Sequence, residues 1–122
     1  MNDDEGYFFD TYAFFEIIRG NPSYTPYKQV KFVTSIFNIA ELNYNLKKLK
    51  GKEIADAYID KLKDRIVTVN LEDIKEAMDI KNKRRELSIP DVVGYVVALK
   101  YRLKFLTGDE DFRNMSHVEF VK

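Results

Sequence analysis

Short runs of aromatic and β-branched residues recur along this chain, separated mostly by longer stretches whose apolar residues return every three or four positions. Tyr7-Phe8-Phe9, Lys31-Phe32-Val33-Thr34, Arg65-Ile66-Val67-Thr68-Val69, Lys104-Phe105-Leu106-Thr107 and Val118-Glu119-Phe120-Val121 read as strands, because such side chains pack well on a pleated surface. Helices are predicted over Thr11 to Arg19, from Ser35 to the break at Gly51, and over Lys52 to Asp64, Asp73 to Glu86 and Asp91 to Leu103. Gly20 and Pro22 stop the first, Ser35 caps the second, and Pro90 suits the first turn of the last. The segment Gly20 to Pro26 reads as a loop. The last helix is apolar on nearly every face and should be the most buried. Strands alternating with helices imply a parallel sheet covered on both faces, and the length, 122 residues, suits a single domain over 1–122.

In such a sheet the ligand crevice lies beyond the carboxyl ends of the strands. Four acids fall where that crevice would open. Asp10 ends the first strand; Asp109 follows the strand closing at Thr107, with Asp111 two residues on; Asp91 and Glu41 sit near the starts of two helices. Each alone is ordinary cap or turn chemistry. Together in apolar surroundings they are costly, since two carboxylates ~4 Å apart repel by about 4 kcal/mol at an effective dielectric of 20. Four such groups in one place need a divalent cation or bound protons, and oxygen donors alone suit Mg²⁺ or Mn²⁺.

Composition removes the competing site chemistries. The chain has no cysteine, which excludes disulfides, thiolate metal sites and cysteine nucleophiles, and its single histidine, His117, cannot build a His-rich site. His117 follows Met115-Ser116 in an irregular stretch and reads as structural or exposed rather than as a base. The acidic start is unlike a signal peptide, and the longest nearly apolar run, Val92 to Leu99, is far short of the ~20 residues of a membrane span. A cytoplasmic protein is expected. Lys plus Arg and Asp plus Glu balance at 20 each, but unevenly along the chain. Positive charge gathers at Lys47-Lys48-Leu49-Lys50-Gly51-Lys52, at Lys81-Asn82-Lys83-Arg84-Arg85, and at Lys100, Arg102 and Lys104. Such clusters serve either as solvated helix ends or as phosphate contacts.

Phe8-Phe9-Asp10-Thr11, Ala40-Glu41-Leu42, Ile89-Pro90-Asp91 and Leu106-Thr107-Gly108-Asp109-Glu110-Asp111-Phe112 together resemble, in order and spacing, the motifs of PIN-domain ribonucleases, above all the VapC-like toxins of toxin–antitoxin pairs. The resemblance implies a three-layer α/β/α sandwich on a central, mostly parallel sheet and a metal-dependent endoribonuclease. It implies Asp10, Glu41, Asp91 and Asp109 as the acidic quartet holding Mg²⁺ or Mn²⁺, with Asp111 as an auxiliary acid and Thr11 and Thr107 as supporting hydroxyls. It further implies an antitoxin whose Arg or Lys fills the acidic crevice, and a homodimer, for which Tyr12, Phe15 and Ile18 are interface candidates. The start to Gly6 is longer than is usual in the family, and Pro90 stands where small or polar residues are common. From position, Arg113, Lys47 and Lys48 are candidates for contacting RNA phosphates, and Tyr12 and Tyr44 for stacking on bases.

Other small parallel folds fit less well. A phosphotransfer receiver needs an acid ending its third strand, where this chain has Val69-Asn70-Leu71. A haloacid-dehalogenase-type phosphatase needs a second acid two positions after the first, and that position is Tyr12. The rival of a different class is a PIN-like module that binds RNA or protein without cleaving.

Overall fold

The computed structural model describes residues 6–122; the acidic start, Met1–Glu5, lies outside the described residues. Strands β1 (Tyr7–Phe9), β2 (Phe32–Ser35), β3 (Ile66–Val67), β4 (Lys104–Thr107) and β5 (Val118–Phe120) form one sheet in the order β3-β2-β1-β4-β5. Every pairing is parallel, with Phe8 beside Val33 on one side and Phe105 on the other. Five α-helices accompany it among the described residues: α1 (Thr11–Arg19), α2 (Ile36–Lys50), α3 (Lys52–Asp60), α4 (Leu71–Lys83) and α5 (Ile89–Lys100).

The period-two alternation of the strands divides the interior into two cores. Phe8 and Phe105 stack at 5.7 Å on one face, packed with Val92, Val93, Val96 and Val97 of α5 and Ala77 of α4. Phe9 and Leu106 point to the other face, among Ala13 and Phe14 of α1, Leu42 and Leu46 of α2 and Ala55 of α3. Each of the large side chains here that is fully buried contributes roughly 1.5–3 kcal/mol by leaving water. The expected α/β/α sandwich is therefore present, and α5 is buried without interruption from Val92 to Ala98. No helix among the described residues is long and apolar enough to cross a membrane.

Several boundaries differ from the sequence expectations. Helix α4 begins at Leu71 rather than Asp73, because the Asn70 side chain accepts the Asp73 amide while the Asp73 carboxylate accepts that of Asn70. It ends at Lys83, three residues earlier than expected. The same reciprocal box between Ser88 and Asp91 starts α5 at Ile89 and leaves the segment after Lys100 to turn back into β4. Helix α3 stops at Asp60, and Lys63–Arg65 form a 3-10 turn, which shortens β3 to two residues at the sheet edge. The expected loop at Gly20–Pro26 runs instead into a 3-10 segment, Pro22–Gln29, anchored by Tyr24, whose buried ring places its hydroxyl to donate to the Val121 carbonyl at 2.6 Å.

Candidate active site

At the carboxyl ends of the central strands a cleft of about 290 Å³ is lined by Asp10, Thr11, Tyr12, Phe15, Glu41, Asn45, Ser88, Asp91 and Asp109. Asp10 leaves β1 and occupies the N-cap position of α1, yet its side chain caps nothing. Its Oδ2 instead accepts the Thr107 hydroxyl at 2.8 Å, and its Oδ1 is buried with no hydrogen-bond partner among the described residues. Thr107, at the end of the neighbouring β4, also accepts the Asp109 amide at 3.1 Å, so one hydroxyl bridges two of the acids. Asp109 opens the 3-10 turn Glu110–Phe112, its Oδ1 accepting the Asp111 amide at 3.0 Å. Asp91 uses Oδ2 on the Ser88 amide at 2.9 Å. Glu41 stands half-buried in the second turn of α2, where Asn45 donates to its backbone carbonyl.

The carboxylates disturb one another. Burial, then the charge of Asp91, pushes the Asp10 carboxyl up to about 8, with the Thr107 hydroxyl pulling the other way and Glu41 adding to the rise. Burial also raises Asp91 to about 6, opposed by its Ser88 hydrogen bonds and reinforced by Asp109 and Glu41. Among the described residues none of the four is in a salt bridge, so no lysine or arginine there offsets this charge. They line a common space without three of them closing into a finished metal cage. The donor set nonetheless fits a hard divalent cation: oxygen ligands only, excess negative charge, and a buried carboxylate oxygen lacking any partner. A larger hollow of about 440 Å³ lies at the other edge of the sheet, but its one acid, Asp64, is accompanied by Lys31 and Arg65.

The cleft thus gathers Asp10, Glu41, Asp91, Asp109 and Thr11, with Thr107 behind them. Asp111 is placed outside it, exposed in an adjoining pocket with Arg84, Glu110, Asn114 and Met115, and its carbonyl accepts from Arg84. The Thr11 hydroxyl bonds none of the carboxylates among the described residues and accepts from Asn38 at 3.3 Å. Arg113 is paired to Glu110 and lies over the Phe120 ring; Lys47 pairs with Asp56; Lys48 sits over the Tyr44 ring. Tyr12 and Phe15 line the cleft, whereas Tyr44 does not. His117 lies at the amino end of β5, the sheet edge opposite the acids. Ser88, Asn45 and Asn38 are the site's polar residues that sequence reasoning left unassigned to it. For Ser88 the signal was present, a serine three residues before Asp91.

A parallel α/β/α domain with an acidic cleft at its strand ends is the class that fold and site define. The model of the PIN domain family matches residues 7–118, and the chain belongs to that family, whose members are nucleases. A search of curated proteins returns no match to the sequence. Among solved structures the fold is similar to a chain of a toxin-antitoxin complex from Klebsiella pneumoniae (TM-score 0.74, 16% identity, 93% of this chain and 95% of that one). It is also similar to chains of VapBC2 from Rickettsia felis, bound to a DNA fragment of the promoter (0.70, 18%, 95% and 98%). VapBC-1 from nontypeable Haemophilus influenzae is a third such match (0.69, 16%, 93% and 95%).

Proposed function

We propose that this PIN domain is a divalent-metal-dependent endoribonuclease that acts in the cytoplasm as the toxin of a toxin–antitoxin pair. The observation carrying the proposal is the shared cleft of Asp10, Glu41, Asp91 and Asp109, in which the Asp10 Oδ1 is buried and has no partner among the described residues. PIN domains generally use divalent metal ions. Asp10, Asp91, Asp109 and Glu41 would hold Mg²⁺ or Mn²⁺, which when bound supplies charge stabilisation at the phosphoryl oxygens and a water of lowered pKa. The chain's own part is positional. Thr107 fixes the Asp10 carboxylate against the Asp109 backbone, and the Ser88 box orients Asp91 with one oxygen free of the helix amide. Tyr12 and Phe15 give the cleft an aromatic wall suited to the unpaired bases of single-stranded RNA. The test is RNA cleavage by EDTA-treated protein: no cleavage is expected without metal, with restoration by Mg²⁺ or Mn²⁺. Cleavage that persists in EDTA overturns the metal dependence. Metal uptake and RNA binding without cleavage would instead make this a binding module.

Lys47, Lys48 and Arg113 are proposed as phosphate contacts that exchange their present partners, Asp56, the Tyr44 ring and Glu110, for RNA. Replacing all three with alanine should flatten the dependence of log K on log salt by about 2, since each single-strand phosphate contact contributes ~0.7. An unchanged slope removes them from the interface. The cognate antitoxin is proposed to place an Arg or Lys among the four carboxylates, which the absence of salt bridges to them among the described residues favours. A homodimer is proposed through the part of α1 beyond the cleft, where Ile18 is half-buried within one chain and, unlike Tyr12 and Phe15, does not line the cleft.

A further inference from the structure

Beneath the cleft lies a fully buried amide that the chemistry above does not use. Asn38 is completely shielded from solvent, and its carboxamide is spent in two directions. Its Oδ1 accepts the Ser35 hydroxyl at 2.7 Å, and its Nδ2 donates to the Thr11 hydroxyl at 3.3 Å. The backbone amide of Asn38 donates to the same Ser35 oxygen at 3.2 Å. Asn38 occupies the third position of α2. In α4 and α5 the residue at that position, Asp73 or Asp91, reaches back to the N-cap amide and completes a capping box. In α2 the side chain instead reaches sideways to the first residue of α1. Its oxygen still serves the cap through the Ser35 hydroxyl, so the bond from Nδ2 to Thr11 is the part that reaches beyond the helix.

The third neighbour is α5. An ideal Cβ built at Gly94 would stand 3.1 Å from Asn38 Oδ1 and 2.7 Å from a ring carbon of Phe8, so only glycine lets α5 approach this closely. The amide therefore abuts all three helices that carry cleft acids near it. Asp10 directly precedes Thr11, Glu41 lies three residues beyond Asn38 on the same helix face, and Asp91 lies three residues before Gly94. Thr107 then links Asp10 to Asp109. We propose that Asn38 is a positioning residue for the acidic quartet, setting the spacing of α1, α2 and α5 so that their carboxylates can engage one cation. A buried polar group tied by directional bonds specifies one relative placement of its neighbours, which an apolar side chain of equal volume does not. This inference rests on the reading of the cleft as a divalent-cation site.

The test measures Mn²⁺ uptake directly, from loss of the free-ion electron paramagnetic resonance signal, alongside melting temperature and cleavage kinetics. Asn38→Leu keeps the branching at Cγ and removes the hydrogen bonds; Asn38→Ala, which cannot overpack, is the second variant; Leu46→Ala, a buried residue at the far end of α2, is the control for general loss of stability. The two Asn38 variants should bind Mn²⁺ about 10- to 100-fold more weakly, the scale on which outer partners of metal ligands act. Their kcat should fall in step while KM for RNA stays within about threefold, as for an interaction serving the reacting centre rather than substrate binding. The Leu46→Ala protein should melt lower yet bind Mn²⁺ as the wild type does. Unchanged Mn²⁺ affinity in folded Asn38 variants, or equal weakening in the control, overturns the proposal. Failure of both Asn38 variants to fold also overturns it, assigning the residue to the fold. Wild-type protein that takes up no Mn²⁺ refutes the cleft reading itself, a separate outcome.

Discussion

Asp91→Asn should abolish metal-dependent RNA cleavage while leaving the protein folded. Both halves follow from where Asp91 sits. One carboxylate oxygen accepts the Ser88 amide, and an asparagine oxygen can accept the same hydrogen bond, so the box that starts α5 survives. The lost charge at the helix N-terminus costs about 0.3–1 kcal/mol. Against that, the protein already holds this carboxyl at about 6 through burial and its acidic neighbours, so a neutral side chain relieves a repulsion. Stability in metal-free buffer should therefore change little. Activity has no such compensation, because the neutral amide is a poor ligand for a hard cation and cannot share its charge. Removing one preorganised electrostatic group from a reacting centre typically costs ~10²–10³-fold in kcat. Single-turnover cleavage, with circular dichroism on the same preparations, checks both statements; a folded Asp91→Asn protein within about tenfold of wild type would remove Asp91 from the chemistry.

The second large effect is on stability. Asp10 is pushed up to about 8 in the fold, from an ordinary value of 3.8. Between those values the folded chain binds more protons than the unfolded one, so the stability that protonated Asp10 permits is fully present below about pH 4 and is lost as pH rises toward 8. The loss accrues at about 1.4 kcal/mol for each pH unit of the window, reaching several kcal/mol. Asp10→Asn removes this dependence. In EDTA, the variant should match wild type or fall slightly below it at pH 4, where Asp10 is mostly protonated and the amide gains no electrostatic advantage. At pH 8 it should be clearly the more stable. Urea unfolding at the two pH values provides the difference. A gap that does not change with pH contradicts the assignment of the penalty to Asp10.

Much of this site was legible before any coordinates. Asp10 and Asp109 follow strands whose aromatic and aliphatic residues are unmistakable, and a parallel sheet sends both strand ends to one edge. Asp91 and Glu41 stand out because they interrupt apolar segments. Asn38 was not legible. In the sequence it is an ordinary polar residue in the first turn of a capped helix, and its burial arises only because Gly94 admits α5 and Thr11 lies opposite. The same limit applies to the cations. Lys47, Lys48 and Arg113 read as free positive charge, whereas Asp56, the Tyr44 ring and Glu110 occupy them by contacts that linear spacing only partly reveals. The caps at Ser35 and Ser88 are legible in the sequence, whereas the start of α4 is set two residues earlier than the apolar pattern suggests because Asn70 supplies an early cap. Tyr24 reads as a loop residue in the sequence because its partner, the Val121 carbonyl, lies 97 residues away.

Anomalous scattering at the manganese edge, from crystals grown with Mn²⁺, addresses the central claim most directly. A peak is expected in the cleft within about 2.0–2.4 Å of carboxylate oxygens of Asp10 and at least one of Asp91 and Asp109, distances typical of a hard divalent ion. A cleft without a peak at saturating Mn²⁺, with Asp10 Oδ1 still unpartnered, would contradict it.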